Sequence, residues 1–181
     1  MDIIAPYLQM QADVVKPRPG NKYGSFADAV LDMGHSFESR ALSDKEQAFV
    51  EMICQVMRTA RYGECYMNAQ RAVLRQGDGL GLKYAEGYAV CGLFPMLHGW
   101  IVLPSGAVFD PTWKPGFRPP KRRASSPVLG VQGKIPEGWG YYGIEFTPAQ
   151  VRREVERREH YGSFLDNMGE HFPLVRTGAL L

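Results

Sequence analysis

Apolar positions first become periodic after residue 43. Phe49, Met52, Ile53, Val56, Met57 and Ala60 recur at the three-and-four spacing of one helix face. Ser43-Asp44-Lys45-Glu46, just ahead of that face, has the form of a capping box, and Tyr62-Gly63 ends it where glycine suits a left-handed cap. A second helix is predicted from Glu64 or Cys65 to about Gln76, with Ala69, Ala72 and Val73 on its buried side and Gly77-Asp78-Gly79-Leu80-Gly81 breaking it. Beyond those glycines the period shortens. Runs at 82–93, 97–103 and 107–110 read as strands, and 141–146 as one more. Thr147-Pro148-Ala149-Gln150 then supplies an N-cap, a proline for the first turn and a returning glutamine, predicting a last helix over 148–160.

Helices first, then a mostly antiparallel sheet, then a closing helix is the order of an α+β fold rather than of alternating βαβ units. Residues 1–24 show weak periodicity and a Lys16-Pro17-Arg18-Pro19-Gly20 break, which suggests an irregular arm lying over a domain, and 1–42 is expected to be an N-terminal arm packing on the core. The main domain is expected over 43–165, with a long loop at 114–140, and a tail over 166–181.

Composition narrows the classes. The chain has 181 residues, a formal charge of +2, 45% apolar residues and 12% aromatics, which is globular composition without global attraction to nucleic acid. No apolar run approaches the ~18–20 residues of a membrane span, so no membrane association is expected. The first residues lack the basic start and apolar stretch of a secretory signal. Cys54, Cys65 and Cys91 are odd in number and well spread, which excludes a disulfide scaffold and places the thiols in a reducing, cytoplasmic setting.

Chemistry gathers around Cys65. At the first turn of its predicted helix, unpaired N–H groups and the helix dipole favour a thiolate. Such a nucleophile needs a base, and His98 lies in the strand-like run at 97–103. Pro104-Ser105-Gly106 fits a three-residue hairpin loop with glycine in the left-handed position. That loop makes Leu103 face Ala107, Trp100 face Asp110, and His98 face Thr112. His98 and Asp110 then become diagonal neighbours on one face, where a carboxylate can orient an imidazole. Cys54, mid-helix, and Cys91, near a strand end, read as structural; His35, His160 and His171 read as surface or local hydrogen-bonding groups. The backbone N–H of Cys65 is the natural first oxyanion donor, with Tyr62, Gln55 and Asn68 as side-chain candidates for a second. Trp100 and Trp113 read as core or cleft-wall aromatics that flank substrate.

Three segments carry a resemblance. Tyr62-Gly63-Glu64-Cys65-Tyr66 resembles the nucleophile segment of transglutaminase-like proteins, Leu97-His98-Gly99-Trp100 their His-x-Trp strand, and Asp110-Pro111-Thr112-Trp113 their Asp-x-Thr segment. The resemblance spans residues 45–113 and the strand at 141–146. It implies a papain-like α+β core, like that of small standalone bacterial or phage proteins. It also implies acyl transfer through Cys65, with His98 as general base and acid and Asp110 orienting the ring. Tyr66 stands where that family usually has Trp, and Glu64 where many cross-linking members have Gln. The expected activity therefore includes peptidase and amidase as well as transamidation, on a protein or peptide substrate and with no cofactor.

Other readings remain open at this stage. A Cys-His-Asp set can bind Zn²⁺, but no closely spaced ligand pair such as Cys-x-x-Cys is present, so no metal is expected. The glycine run at 77–81 lacks the Lys-Ser/Thr ending of a P-loop. Arylamine N-acetyltransferases share the triad order, which makes coenzyme A-dependent acetyl transfer an enzymatic alternative. The run from Lys114 to Lys134 carries Arg118, Lys121, Arg122 and Arg123 without an acid. A catalytically silent module using this loop to bind an acidic protein, or nucleic acid through phosphate contacts, is the non-enzymatic alternative. Only Phe117 in the run offers base stacking.

Overall fold

The computed structural model describes residues 4–37, 40–56, 63–91, 94–112 and 139–180, and combines helices with an antiparallel sheet curled into a half-barrel. The elements in chain order are α1 (Ile4–Val14), α2 (Phe26–Met33), β1 (His35–Phe37), α3 (Asp44–Val56) and α4 (Cys65–Leu80). They continue with β2 (Lys83–Cys91), β3 (Met96–Val102), β4 (Val108–Phe109), β5 (Trp139–Phe146), α5 (Pro148–Arg158) and α6 (Pro173–Thr177). The sheet order is β1-β5-β2-β3-β4, and every pairing is antiparallel.

The N-terminal arm is not irregular. α1 starts despite Pro6 because a first-turn proline removes an N–H that has no helical partner anyway. Ile4 and Leu8, one turn apart, enter the core. Ser25 caps α2 by accepting from Asp28 N, and β1 adds an edge strand by pairing Phe37 with Tyr141 of β5. The tail is tied to this arm, since Lys22 N donates to Arg176 O and Tyr23 N to Val175 O while Leu174 is buried.

α3 opens on the expected capping box: Ser43 N donates to Glu46 Oε2 and Glu46 N to Ser43 Oγ. Its buried side is turned from the expected stripe. Val50 and Ile53 are buried in the helix-side core and Phe49 packs against it, whereas Met52 is exposed. Residues 57–62 lie outside the described residues.

α4 does bury Ala69, Ala72 and Val73, but it runs through the glycines to Leu80 instead of ending near Gln76. The reason lies far away in sequence. A Cβ on Gly77 would sit 2.8 Å from Cγ of Pro148, so glycine lets the start of α5 press against the helix. Gly81, at φ +65°, makes the left-handed cap. α5 carries the complete capping box predicted at Thr147 and Gln150.

The hairpin between β3 and β4 has the expected register. Ile101 pairs with Phe109 and Val102 with Val108, Leu103 N donates to Ala107 O, and Gly106 takes φ +85°. Both faces of the sheet are covered. Tyr84, Ile101, Phe109 and Phe146 meet the helices, while Ala85, Trp100, Val102, Val108, Tyr141 and Phe37 form a second cluster on the other side. Among the described residues no helix is long and apolar enough to cross a membrane. The basic run of the expected loop at 114–140 lies outside the described residues, and β5 begins at Trp139.

Candidate active site

Cys65 is the first residue of α4, half-buried and free of any disulfide. The turn that delivers it needs Gly63, whose φ of +78° is left-handed. Glu64 occupies the cap position without donating or accepting a side-chain hydrogen bond there, and the first turn carries no acid. The first-turn N–H groups have no intrahelical partner, so a half-exposed sulfur sits where a negative charge is favoured.

His98 lies on β3 and is buried, and its Nε2 stands 2.7 Å from Oδ2 of Asp110. Asp110 follows β4, where the hairpin register returns it to the histidine. Its carboxylate has further donors: Tyr141 OH reaches Oδ2 at 3.0 Å and Thr112 N reaches Oδ1 at 2.8 Å. An acceptor held by three donors fits the ionised carboxylate, and it fixes the imidazole as the tautomer with hydrogen on Nε2. Nδ1 is then the nitrogen left for Cys65. Burial lowers the His98 pKa, but the Asp110 charge and hydrogen bond, aided by a hydrogen bond and charge from Cys65, outweigh it and raise it to about 10.

The structure thus brings Cys65, His98 and Asp110 together. It also joins α4 to the acid's loop, because Asn68 Nδ2, one turn past Cys65, donates to Thr112 Oγ1 at 3.0 Å. Asn68, a candidate for the second oxyanion donor, is 1% exposed, and its amide tethers α4 to Thr112. Trp100 is a core aromatic, fully buried with its ring 5.2 Å from Phe37 and 5.1 Å from Tyr141, and so does not touch a substrate in solvent. Tyr62, Trp113 and the Gln55 side chain lie outside the described residues, as does the side chain of Cys91. Cys54 sits half-buried against the helix-side core. His160 Nδ1 meets the backbone oxygen of Arg158, and His35 lies over Phe37 beside Glu145.

Sequence reading missed Tyr141 and Glu86. Tyr141 gave no local signal, because its contact with Asp110 depends on the order of strands β5-β2-β3-β4. Glu86 did give one. It is an acid at the same alternation as Tyr84 and Val90, a position that faces the core. Among the described residues no group of three His, Cys, Asp or Glu side chains could hold a metal ion. Compared with known proteins, the chain matches no family model, no curated protein and no solved structure.

Proposed function

We propose that the chain is a cysteine-dependent acyl-transfer enzyme with a papain-like, transglutaminase-like core, acting in the cytoplasm on an amide or ester carbonyl of a protein or peptide. The observation that carries this reading is the 2.7 Å bond from His98 to Asp110 beside a half-exposed Cys65 at a helix start. A buried ion pair of this kind is costly to keep for stability alone, whereas it suits a proton shuttle.

In the proposed cycle the Cys65 thiolate forms a C–S bond to the substrate carbonyl carbon while His98 is the imidazolium. The oxygen takes the negative charge against the first-turn N–H groups of α4, that of Cys65 first. The tetrahedral centre collapses, the C–N or C–O bond breaks, and Nδ1 of His98 gives its proton to the leaving group. Water or an amine then enters. His98 takes its proton as it attacks the acyl carbon, and the C–S bond breaks to return the thiolate. Asp110 stays ionised throughout, holding the ring and balancing its charge. No organic cofactor enters these steps.

The test is intact-protein mass spectrometry during turnover of peptide amides and esters by the native chain and by Cys65→Ser. The expected result is an acyl adduct on Cys65 and no comparable turnover in the variant. Full turnover by Cys65→Ser overturns the reading. Acetylation of Cys65 by acetyl-coenzyme A, in place of peptide acylation, redirects it to acetyl transfer.

A further inference from the structure

Glu86 is a carboxylate with no part in the cycle above, yet it is fully buried in the middle of β2. Four donors converge on it. Ser163 Oγ and Leu165 N, the latter at 3.2 Å, reach Oε1, while Tyr84 OH at 2.7 Å and Phe164 N at 2.8 Å reach Oε2. Two partners per oxygen fill the hydrogen-bonding capacity of the carboxyl group. Burial raises its pKa, and the Ser163, Phe164, Tyr84 and Leu165 bonds oppose that rise without cancelling it. Replacing a buried charge by an apolar group of similar volume is often neutral or stabilising, so stability alone is a weak reason to have one here.

The donors point to a different role. The Tyr84 hydroxyl, fixed by Glu86, lies 3.0 Å from where a Cβ on Gly99 would be, and Cδ1 of Tyr66 lies 3.0 Å from the same spot. Tyr66 itself is partly buried against the helix-side core. Tyr66 follows Cys65 and Gly99 follows His98. At the seam where α4 meets β3 an added Cβ would therefore push both tyrosines aside by a few tenths of an ångström, and the nearer hydroxyl, that of Tyr84, is held by Glu86.

We propose that Glu86 is a positioning residue that sets the approach of Cys65 to His98 by fixing Tyr84, which together with Tyr66 closes the Gly99 seam. This rests on the acyl-transfer reading in taking the Cys65–His98 pair as functional. It goes beyond that reading in giving residues outside the triad, and the segment at 163–165, control of the pair's spacing.

The test is the pH profile of Cys65 alkylation by iodoacetamide, mapped by mass, in the native chain and in Glu86→Gln, Tyr84→Phe and Gly99→Ala, each checked for folding by circular dichroism. A glutamine turns two N–H groups toward donors, Tyr84→Phe removes one hydroxyl from the seam, and Gly99→Ala inserts a methyl group into it. In each folded variant the alkylation rate near neutral pH is expected to fall about tenfold or more, as for a misplacement of under ~1 Å. Folded variants that keep the native rate and profile overturn the proposal. If Glu86→Gln does not fold, Tyr84→Phe and Gly99→Ala decide. Because the assay needs no substrate, the two failures separate. An ordinary-thiol profile in the native chain removes the acyl-transfer reading and this inference together. A native profile shifted to low pH that the variants retain removes only the inference.

Discussion

Nε2 of His98 and Oδ2 of Asp110 lie 2.7 Å apart with both side chains almost wholly out of water. A short turn produces this pair. With Pro104-Ser105-Gly106 as the loop, the two residues share a face; one residue fewer would send them to opposite faces. The Asp110 charge is then the chief cause that raises the His98 pKa against the effect of burial, with Cys65 adding to it.

Asp110→Asn should therefore lower the His98 pKa from about 10 and bring down the alkaline limb of turnover with it. The amide also admits the wrong imidazole tautomer, so kcat should fall by roughly 10³–10⁴-fold. Proton-resolved NMR titration of the His98 ring, alongside the pH–rate profile, checks both. An unchanged ring pKa would contradict the assigned role of the carboxylate.

The same shift makes stability depend on pH. A histidine whose folded pKa lies above its ordinary value of 6.5 binds its proton more tightly in the folded chain, so its contribution is complete below pH 6.5. That contribution is lost as the pH rises from 6.5 towards about 10. Thermal melts across this window should show a falling Tm for the native chain and a flatter curve for His98→Gln.

Glu46 ties three pieces of chain together. It accepts from Ser43 N at 2.7 Å, from Arg40 through both guanidinium nitrogens at 2.7 and 2.8 Å, and from Ser105 Oγ of the β3–β4 turn at 2.6 Å. These partners, Arg40 first and Ser105 next, hold its carboxyl well below the usual range, so its contribution is present above pH 4.5 and lost as the pH falls through and below that value. Glu46→Ala should cost about 1 kcal/mol at neutral pH, the scale of a lost cap on a partly exposed helix start. Urea denaturation at pH 7 and pH 3 measures it, and the penalty should shrink at the lower pH.

Gly77→Ala sets two effects against each other. Alanine in a helix interior gains about 1 kcal/mol over glycine, but its Cβ would lie 2.8 Å from Cγ of Pro148 and 3.1 Å from Cγ1 of Val73. Overpacking against a proline ring costs about 1–3 kcal/mol, so net destabilisation is expected. A stabilised variant would mean that α5 moves away from α4 more readily than their packing implies.

These cases mark where the sequence was legible. The capping boxes at Ser43 and Thr147, the left-handed Gly63 and Gly106, and the hairpin register all arise within a few residues, and each could be read directly. The triad was legible because one such local turn sets the distance between His98 and Asp110. Other features depend on distant partners. Gly77 looked like a helix breaker because Pro148, which explains it, lies in another element. The strand His35–Phe37 is too short to announce itself and exists by pairing with β5. α1 buries Ile4 and Leu8 fully and sets Tyr7 against the core, too few apolar positions for a clear period. Tyr141 reaches Asp110 across strands that no local pattern brings together, whereas Glu86 shows in the alternation of β2 but its partners at 163–165 lie far along the chain.

The central claim is that Cys65, His98 and Asp110 work as one ionised unit. Its most direct test is labelling with an electrophilic thiol probe near neutral pH, with the modified residue mapped by mass in the native chain and in His98→Ala. The account predicts fast, selective labelling of Cys65 that His98→Ala abolishes. Labelling spread evenly over Cys54, Cys65 and Cys91, or unchanged in His98→Ala, would contradict it.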